Sequence, residues 1–132
     1  MSLSNPALQT LLAQHRTLRQ QIGRVRSAAR CGEDPRQLRV SVRALCALLL
    51  AHLADEEKLL LPLLQHAAGW GKLRTGLLRA EHAHQRAVLA VLPEEPAHLL
   101  GPRAIALCDH LLADMEFEER EVFSAELLQD RP

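Results

Sequence analysis

Histidine and carboxylate residues interrupt the apolar stripes of this sequence at spacings suited to metal binding. Steps of three and four residues keep side chains on one face of a helix, and they run from Leu8 through His15 to Val25. A second stripe contains His52 and Glu56, one helical turn apart, and continues through Leu59 and Leu63. The stripes later in the chain carry the remaining interruptions, which are His82, Asp114 and Glu118.

These side chains are the ligand types that iron, manganese and zinc take in proteins. An unpaired carboxylate in a protein core is costly, so a buried layer of several carboxylates calls for bound cations. His52 and Glu56 are four residues apart, and so are Asp114 and Glu118. Both members of each pair then share a helix face, where a carboxylate can bridge two ions while its partner binds one. The sequence predicts a two-metal site in a helical core.

The elements that must position these residues are predicted to be helices. The chain has 28 Leu and 19 Ala but only 2 Ile and 6 Val, a bias towards helix formers over β-branched residues. Proline, glycine and capping residues divide the 132 residues into four stretches. The first two predicted helices are Pro6 to Arg30, and Pro35 to about His66 with a bend or end at Pro62. The third follows the turn Gly69-Trp70-Gly71 and runs to about Leu92, and the fourth runs from Ala97 or Pro102 to about Leu128. Their short connections favour one all-α domain over residues 1–132, an up-down-up-down antiparallel four-helix bundle.

The predicted bundle brings the polar residues to one level. At about 1.5 Å per residue, His15 and His52 lie at similar distances from the first helix break, and His82 and Asp114 at similar distances from the last. A weak internal repeat supports this pairing, because the segment around His15 resembles that around His82, and the segment following His52 resembles that following Asp114. The two halves are similar to copies of one helical hairpin, in which Asp114 takes the position of His52.

Several alternatives stay open at this stage. His110 lies one turn before Asp114 and is the rival ligand on the last helix, although its stripe is less apolar. His52 and Glu56 would also suit a buried ion pair without metal, and Asp114 and Glu118 a solvated acidic face. The protein would then be a metal-free helical interaction module whose polar layer sets the helix register, or a module with one zinc or manganese ion.

Four segments resemble the hemerythrin-like proteins, also called the HHE cation-binding domain. They are His15 in Ala-Gln-His-Arg-Thr-Leu, the run from His52 to Pro62 containing Glu56-Glu57, the pair Glu81-His82, and the run from Glu118 to Phe123. The resemblance covers nearly the whole chain. It implies a four-helix bundle holding a non-haem di-iron centre bridged by carboxylates and oxygen, with His15, His52, Glu56 and His82 as ligands.

Two departures from the family pattern bear on function. The family usually has histidine at the position of Asp114, and respiratory hemerythrins carry a second histidine where this chain has Arg86. A shell of three histidines and three carboxylates favours ferric iron or manganese over reversible oxygen binding by ferrous iron. We therefore expect binding or sensing of a small ligand such as O2, NO or peroxide, or iron handling, rather than oxygen transport or turnover of an organic substrate.

Other classes of function are disfavoured by composition. A formal net charge of zero and 2% aromatic residues do not suit nucleic-acid binding. The longest uncharged apolar run, Ala44 to Leu53, is short for a membrane span, and the first residues lack a secretion signal. The three cysteines, which include no Cys-x-x-Cys pair, suit a reducing compartment. We expect a cytoplasmic protein, and the sequence indicates no oligomeric state.

Overall fold

The computed structural model describes residues 5–66 and 71–123, and no strand occurs within these two ranges. The helices are α1 (Pro6–Arg30), α2 (Pro35–Leu59), α3 (Leu61–His66), α4 (Gly71–Val91) and α5 (Ala97–Phe117). A short 3₁₀ turn at Leu92–Glu94 follows α4, and a π turn at Glu118–Val122 follows α5. Helix α1 packs against α2 and α5, while α4 packs against α2 and α3. Helix α3 continues α2 after a short break, so α2 and α3 together form one of four long helical segments. The predicted all-α four-helix bundle is therefore confirmed.

The first two helices begin at the predicted capping residues. The Asn5 side chain accepts hydrogen bonds from the backbone N–H groups of Ala7 and Leu8, at 3.0 and 3.2 Å. The Asp34 carboxylate accepts one from the N–H of Arg36 at 2.9 Å, and each capping residue precedes a proline at the first helical position. Between these helices, Gly32 has a φ of 72°, which a residue with a Cβ rarely adopts.

The break between α2 and α3 shifts the buried stripe by one residue. Pro62 has no N–H to donate to the preceding turn, and the α-helix stops at Leu59 and restarts at Leu61. Leu60 and Leu64 are fully buried, whereas the stripe predicted from Glu56 continued through Leu59 and Leu63, which are only half-buried. The prediction was wrong at this end of the helix because it assumed an unbroken helical register.

The core consists of two apolar clusters with a polar layer between them. The larger cluster surrounds Ile22 and is built from α1, α2, α4 and α5. The smaller one, at the opposite end, comprises Leu8, Leu11, Leu60, Leu61, Leu64, Leu78 and Phe123. Buried polar residues separate them, and these include His15, His52, Glu56, His82 and Gln85. Four of the six predicted residues, His15, His52, Glu56 and His82, therefore lie within the core between the two apolar clusters. Asp114 and Glu118 are only partly buried.

The last helix changes form where it reaches this layer. The N–H of Phe123 bonds to the carbonyl of Glu118 at 2.7 Å, five residues earlier, as in a π turn. The α-helix predicted to reach Leu128 therefore ends at Phe117, and its last predicted residues, 124–128, lie outside the described residues. Such wide turns often occur at functional sites, and here the turn places Glu118 and Glu119 next to α1.

The stretch Pro35–His66 is long and apolar enough to cross a membrane, by length and composition alone. The core helix of a soluble protein passes the same test. In the bundle, 39% of its most apolar window is buried, and its buried face carries His52 and Glu56. These two residues belong to the polar layer of the bundle.

Truncation of the larger cluster should lower stability without touching the polar layer. Ile22 is completely buried, so we expect Ile22→Ala to reduce the free energy of unfolding by about 2 to 5 kcal/mol, the usual cost of such a cavity. Urea denaturation followed by circular dichroism would measure the change. Gln20→Ala, an exposed position on the same helix, is the control and should alter stability by less than about 0.5 kcal/mol.

Candidate metal centre

Glu56 lies at the centre of the polar layer, and three imidazole Nε2 atoms face its carboxylate. Glu56 is completely buried. Its Oε1 lies 2.7 Å from Nε2 of His82, and its Oε2 lies 3.1 Å from Nε2 of His52 and 3.7 Å from Nε2 of His15. The Glu118 Oε1 atom lies 3.4 Å from the same His15 nitrogen. Residues from α1, α2, α4 and the π turn therefore converge on one small volume.

The opposite ring nitrogen of each histidine is held by a second side chain. His15 Nδ1 lies 2.7 Å from a Glu119 oxygen, His52 Nδ1 lies 2.7 Å from the Gln14 amide oxygen, and His82 Nδ1 lies 2.8 Å from a Glu57 oxygen. All three acceptors call for a proton on Nδ1. In the neutral ring this leaves a lone pair on Nε2, the arrangement found in most metal-binding histidines.

Arginines fix two of these outer carboxylates in matching ways. Arg19, one turn after His15, donates to Glu119 at 2.7 Å. Arg86, one turn after His82, donates to both oxygens of Glu57 at 2.7 and 2.9 Å. The internal repeat thus has a structural counterpart, because each half supplies an arginine on the histidine helix.

His52 is held by the Gln14 amide, which is held in turn by the Asp55 carboxylate. The Gln14 amide that accepts from His52 donates in turn to Asp55 at 2.7 Å. Sequence reasoning assigned no role to Gln14, Glu57 or Glu119. The only signal was the repeated pair of adjacent glutamates, since Glu57 and Glu119 directly follow Glu56 and Glu118.

The two inner glutamates have opposite electrostatic environments. Burial alone would raise the pKa of Glu56, but hydrogen bonds from His15, His52 and His82 hold it well below its usual range. For Glu118, burial and the nearby charge of Glu56 raise the pKa to about 8, against the opposing effect of His15. Without metal, the layer therefore keeps Glu56 charged while Glu118 tends to hold a proton.

His15 shows that the layer suits a cation. Burial acts to lower the pKa of His15, yet the neighbouring carboxylates of Glu118, Glu56 and Glu119 raise it to about 9. Its buried Nε2 nevertheless has no hydrogen-bond partner of adequate geometry, although buried nitrogens normally have one. Four potential ligand atoms, one each from His15, His52, Glu56 and Glu118, lie within 4.8 Å of one another. An unpartnered nitrogen facing carboxylates fits a bound metal ion.

Asp114 lies apart from the other five predicted ligands. Its Oδ2 lies 3.1 Å from Nε2 of His110 and accepts a hydrogen bond from the Gln85 amide at 2.8 Å. His110 in turn lies 3.3 Å from Glu81. Asp114, His110 and Glu81 form a second group of potential ligands on the face between α4 and α5. The predicted six-residue set is thus divided into an inner group and an outer group.

Asp114 nevertheless lines the same inner cavity as the main group. This cavity has a volume of about 20 Å³ and is bordered by His52, Glu56, Gln85, Asp114 and Glu118, with leucine and methionine side chains around them. Asp114 as a ligand of the inner centre therefore stays a prediction. The rival histidine, His110, is half exposed and does not border the cavity.

Removal of an outer carboxylate should weaken metal binding without removing a ligand. Glu119→Gln keeps the size of the side chain but loses the charge that orients His15. We expect an affinity loss of about 10- to 100-fold, as for other residues that orient metal-binding histidines. Competition with a chromophoric chelator would measure it. Glu116→Gln, an exposed neighbour on α5, should bind metal like the wild type, and an equal loss in both variants would contradict the assigned role of Glu119.

In a comparison with known protein families, the hemerythrin HHE cation-binding domain matches residues 7–125. Comparisons with curated proteins and with solved structures give no match. The family match spans all four helical segments of the bundle and includes every residue of the polar layer. The bundle and its buried histidine and glutamate residues agree with a metal-binding protein. The chain therefore belongs to the hemerythrin HHE cation-binding domain family.

Proposed function

We propose that the polar layer holds a non-haem iron centre of two ions, and that this centre binds or senses O2, NO or peroxide, or serves to handle iron. The observation that carries the proposal is the orientation of the three histidines. Each directs Nε2 towards the Glu56 carboxylate and is held at Nδ1 by another side chain. A layer serving only to pair charges has no need for three rings fixed in this one orientation.

The distribution of ligands supports two ions rather than one. His15 and His52 approach one oxygen of Glu56, and His82 approaches the other. Glu56 would therefore connect the two ions, with Glu118 and Asp114 completing the shell. Iron bound there would supply a redox-active Lewis acid. The protein's own residues hold the imidazoles in place, neutralise the ions and keep bulk water out.

The surroundings restrict what can reach the centre. The inner cavity has room for about one water-sized molecule, and its apolar lining consists of leucine and methionine side chains of the larger cluster. An organic substrate would not fit, whereas a diatomic molecule or peroxide is of suitable size. This supports a role in binding or sensing rather than turnover of an organic substrate.

The donor set also bears on the metal and on its chemistry. Carboxylates are hard ligands that favour ferric iron or manganese, and zinc would be accepted by the histidines. The sequence contains no tyrosine, which argues against a tyrosyl radical beside the metal. We propose iron as the resident metal, with manganese or zinc as the competing occupants.

The cysteines fit the proposed cytoplasmic setting. Cys46 and Cys108 are buried, and burial raises the pKa of each thiol to about 11, so neither is a ready thiolate. Cys31 is free and exposed. Such thiols suit a reducing compartment. We propose no membrane partner and no nucleic-acid partner.

Metal analysis with an optical spectrum tests the proposal. Protein purified without chelators, or loaded with ferrous iron under anaerobic conditions and then exposed to air, should contain about two irons per chain and show an oxo-to-iron charge-transfer band. One ion per chain would replace the di-iron assignment with a mononuclear one, and zinc or manganese in place of iron would overturn the assignment of the metal. No bound metal after loading would indicate a metal-free helical module.

A further inference from the structure

Glu81, His110 and Asp114 surround one point on the face between α4 and α5, at the edge of the buried centre. One ligand atom from each lies within 4.8 Å of the others. His110 Nε2 is 3.3 Å from Glu81 and 3.1 Å from Asp114. The exposed fractions of the side chains are 49% for His110, 40% for Glu81 and 27% for Asp114. Two carboxylates and an imidazole are a suitable set for a divalent transition-metal ion.

The two carboxylates of this group are held together without an arginine. Burial and the neighbouring Glu81 raise the pKa of Asp114 to about 6. The Gln85 amide donates to both, at 2.8 Å to Asp114 and 3.2 Å to Glu81. Elsewhere in the layer, Glu57 and Glu119 are each paired with an arginine. This pair of like charges is instead held by one amide and a half-exposed histidine.

The other half of the bundle shows that this arrangement is particular to one face. By the internal repeat, the residues that correspond to Glu81, Gln85 and Asp114 are Gln14, Leu18 and His52. The corresponding face thus has a neutral amide, an apolar side chain and an inward-facing imidazole, with no acid in these positions. At the equivalent positions between α4 and α5, the chain instead has two carboxylates, Glu81 and Asp114, and the buried amide of Gln85.

The group also stands between the solvent and the centre. A groove of about 500 Å³ opens on this face, and Glu81, Asp114 and Glu118 line it. Asp114 and Glu118 line the buried cavity as well, and Glu118 lies 3.4 Å from Nε2 of His15. An ion at Asp114 would therefore be one side chain away from the inner ligands.

We propose that Glu81, His110 and Asp114 form an exchangeable divalent-cation site at the surface, through which metal ions pass to the buried centre. This inference rests on the proposed function, because loading requires a buried centre that retains metal. Glu81, which lines the groove, captures the ion there, and His110, whose Nε2 lies 3.3 Å from Glu81, binds it from beside the groove. Asp114, which borders both the groove and the cavity, transfers it towards Glu118.

The test uses Co²⁺ under anaerobic conditions, since its visible absorption reports binding to protein ligands. Metal-free wild type should show a weak, rapidly exchanging site in calorimetric titration, in addition to tighter binding at the centre. The double variant Glu81→Gln/His110→Ala should lose the weak site and load the centre at least about 10-fold more slowly at limiting Co²⁺, because negatively charged clefts raise the arrival rate of cations by about 10- to 1000-fold. The final amount of tightly bound Co²⁺ should be unchanged.

The control is the double variant Glu116→Gln/His98→Ala, which removes an exposed acid and an exposed histidine from α5. It should load at the wild-type rate. Equal loading rates in the wild type and the Glu81/His110 variant would overturn the proposal, as would loss of the tightly bound Co²⁺ in that variant, which would make His110 a ligand of the centre itself. If the wild-type protein binds Co²⁺ only weakly and exchangeably, the proposed function is overturned. The proposed loading site is then overturned too, because it requires a centre that retains metal.

Discussion

Glu56→Gln is expected to abolish tight metal binding while leaving the fold in place. The substitution keeps the size of the side chain but replaces the charged carboxylate that three imidazoles face. Residues that only orient a metal ligand typically contribute up to about 100-fold to metal affinity. We expect the loss of metal affinity in Glu56→Gln to exceed that value. Metal content after gel filtration and chelator competition would measure this, with circular dichroism to verify the helices.

The matched control is Glu94→Gln, which removes a glutamate exposed at the far end of the bundle and paired only with Arg43. It should bind metal like the wild type. The metal-free Glu56→Gln protein should also unfold more easily, by about 1 to 3 kcal/mol, because buried imidazoles lose an acceptor. Retention of full metal content in Glu56→Gln would show that the metal binds elsewhere.

Metal binding should raise thermal stability by a large amount. A ligand that binds only the folded state at about 1000 times its Kd contributes about 4 kcal/mol. For a domain of this length, each kcal/mol corresponds to roughly 4 °C in Tm, so we expect an increase of about 15 °C between metal-free and iron-loaded protein. Differential scanning calorimetry before and after anaerobic iron loading would measure it.

We expect this large increase in Tm because the inner ligands come from different helices. His15, His52 and His82 belong to three different helices, and Glu118 belongs to the turn after a fourth, so a bound ion connects the whole bundle. Glu56→Gln protein should show almost no change in Tm on iron loading. An equally large increase in that variant, or none in the wild type, would contradict binding at the polar layer.

Helix periodicity predicted most of the fold and most of the polar layer. On α1, all six stripe residues from Leu8 to Val25 are buried, because an uninterrupted amphipathic helix keeps its register over seven turns. The levels of His15, His52 and His82 followed from helix rise alone. On α2 the register failed after Glu56, where the break before Pro62 shifted burial from Leu59 to Leu60. On α5 the buried residue is Met115 rather than the predicted Asp114.

The position of Asp114 and the outer carboxylates could not be read from the sequence. An aspartate is shorter than the histidine it replaces, and the amide of Gln85 holds its carboxylate, an interaction between two helices that periodicity does not contain. The roles of Glu57 and Glu119 depend on hydrogen bonds to histidines on other helices. Side-chain pairing across helices is set by packing, so a pattern along one helix cannot show it.

The two apolar clusters have a consequence for the way the bundle comes apart. Each cluster is a separate core, and the polar layer around Glu56 lies between them. In the metal-free protein, the smaller core around Leu64 and Phe123 is free to open as a unit of its own, ahead of the larger core around Ile22. If ions occupy the layer as proposed, we expect the two cores to unfold as one cooperative unit, so that occupancy of the centre also affects the end of the molecule formed by α3.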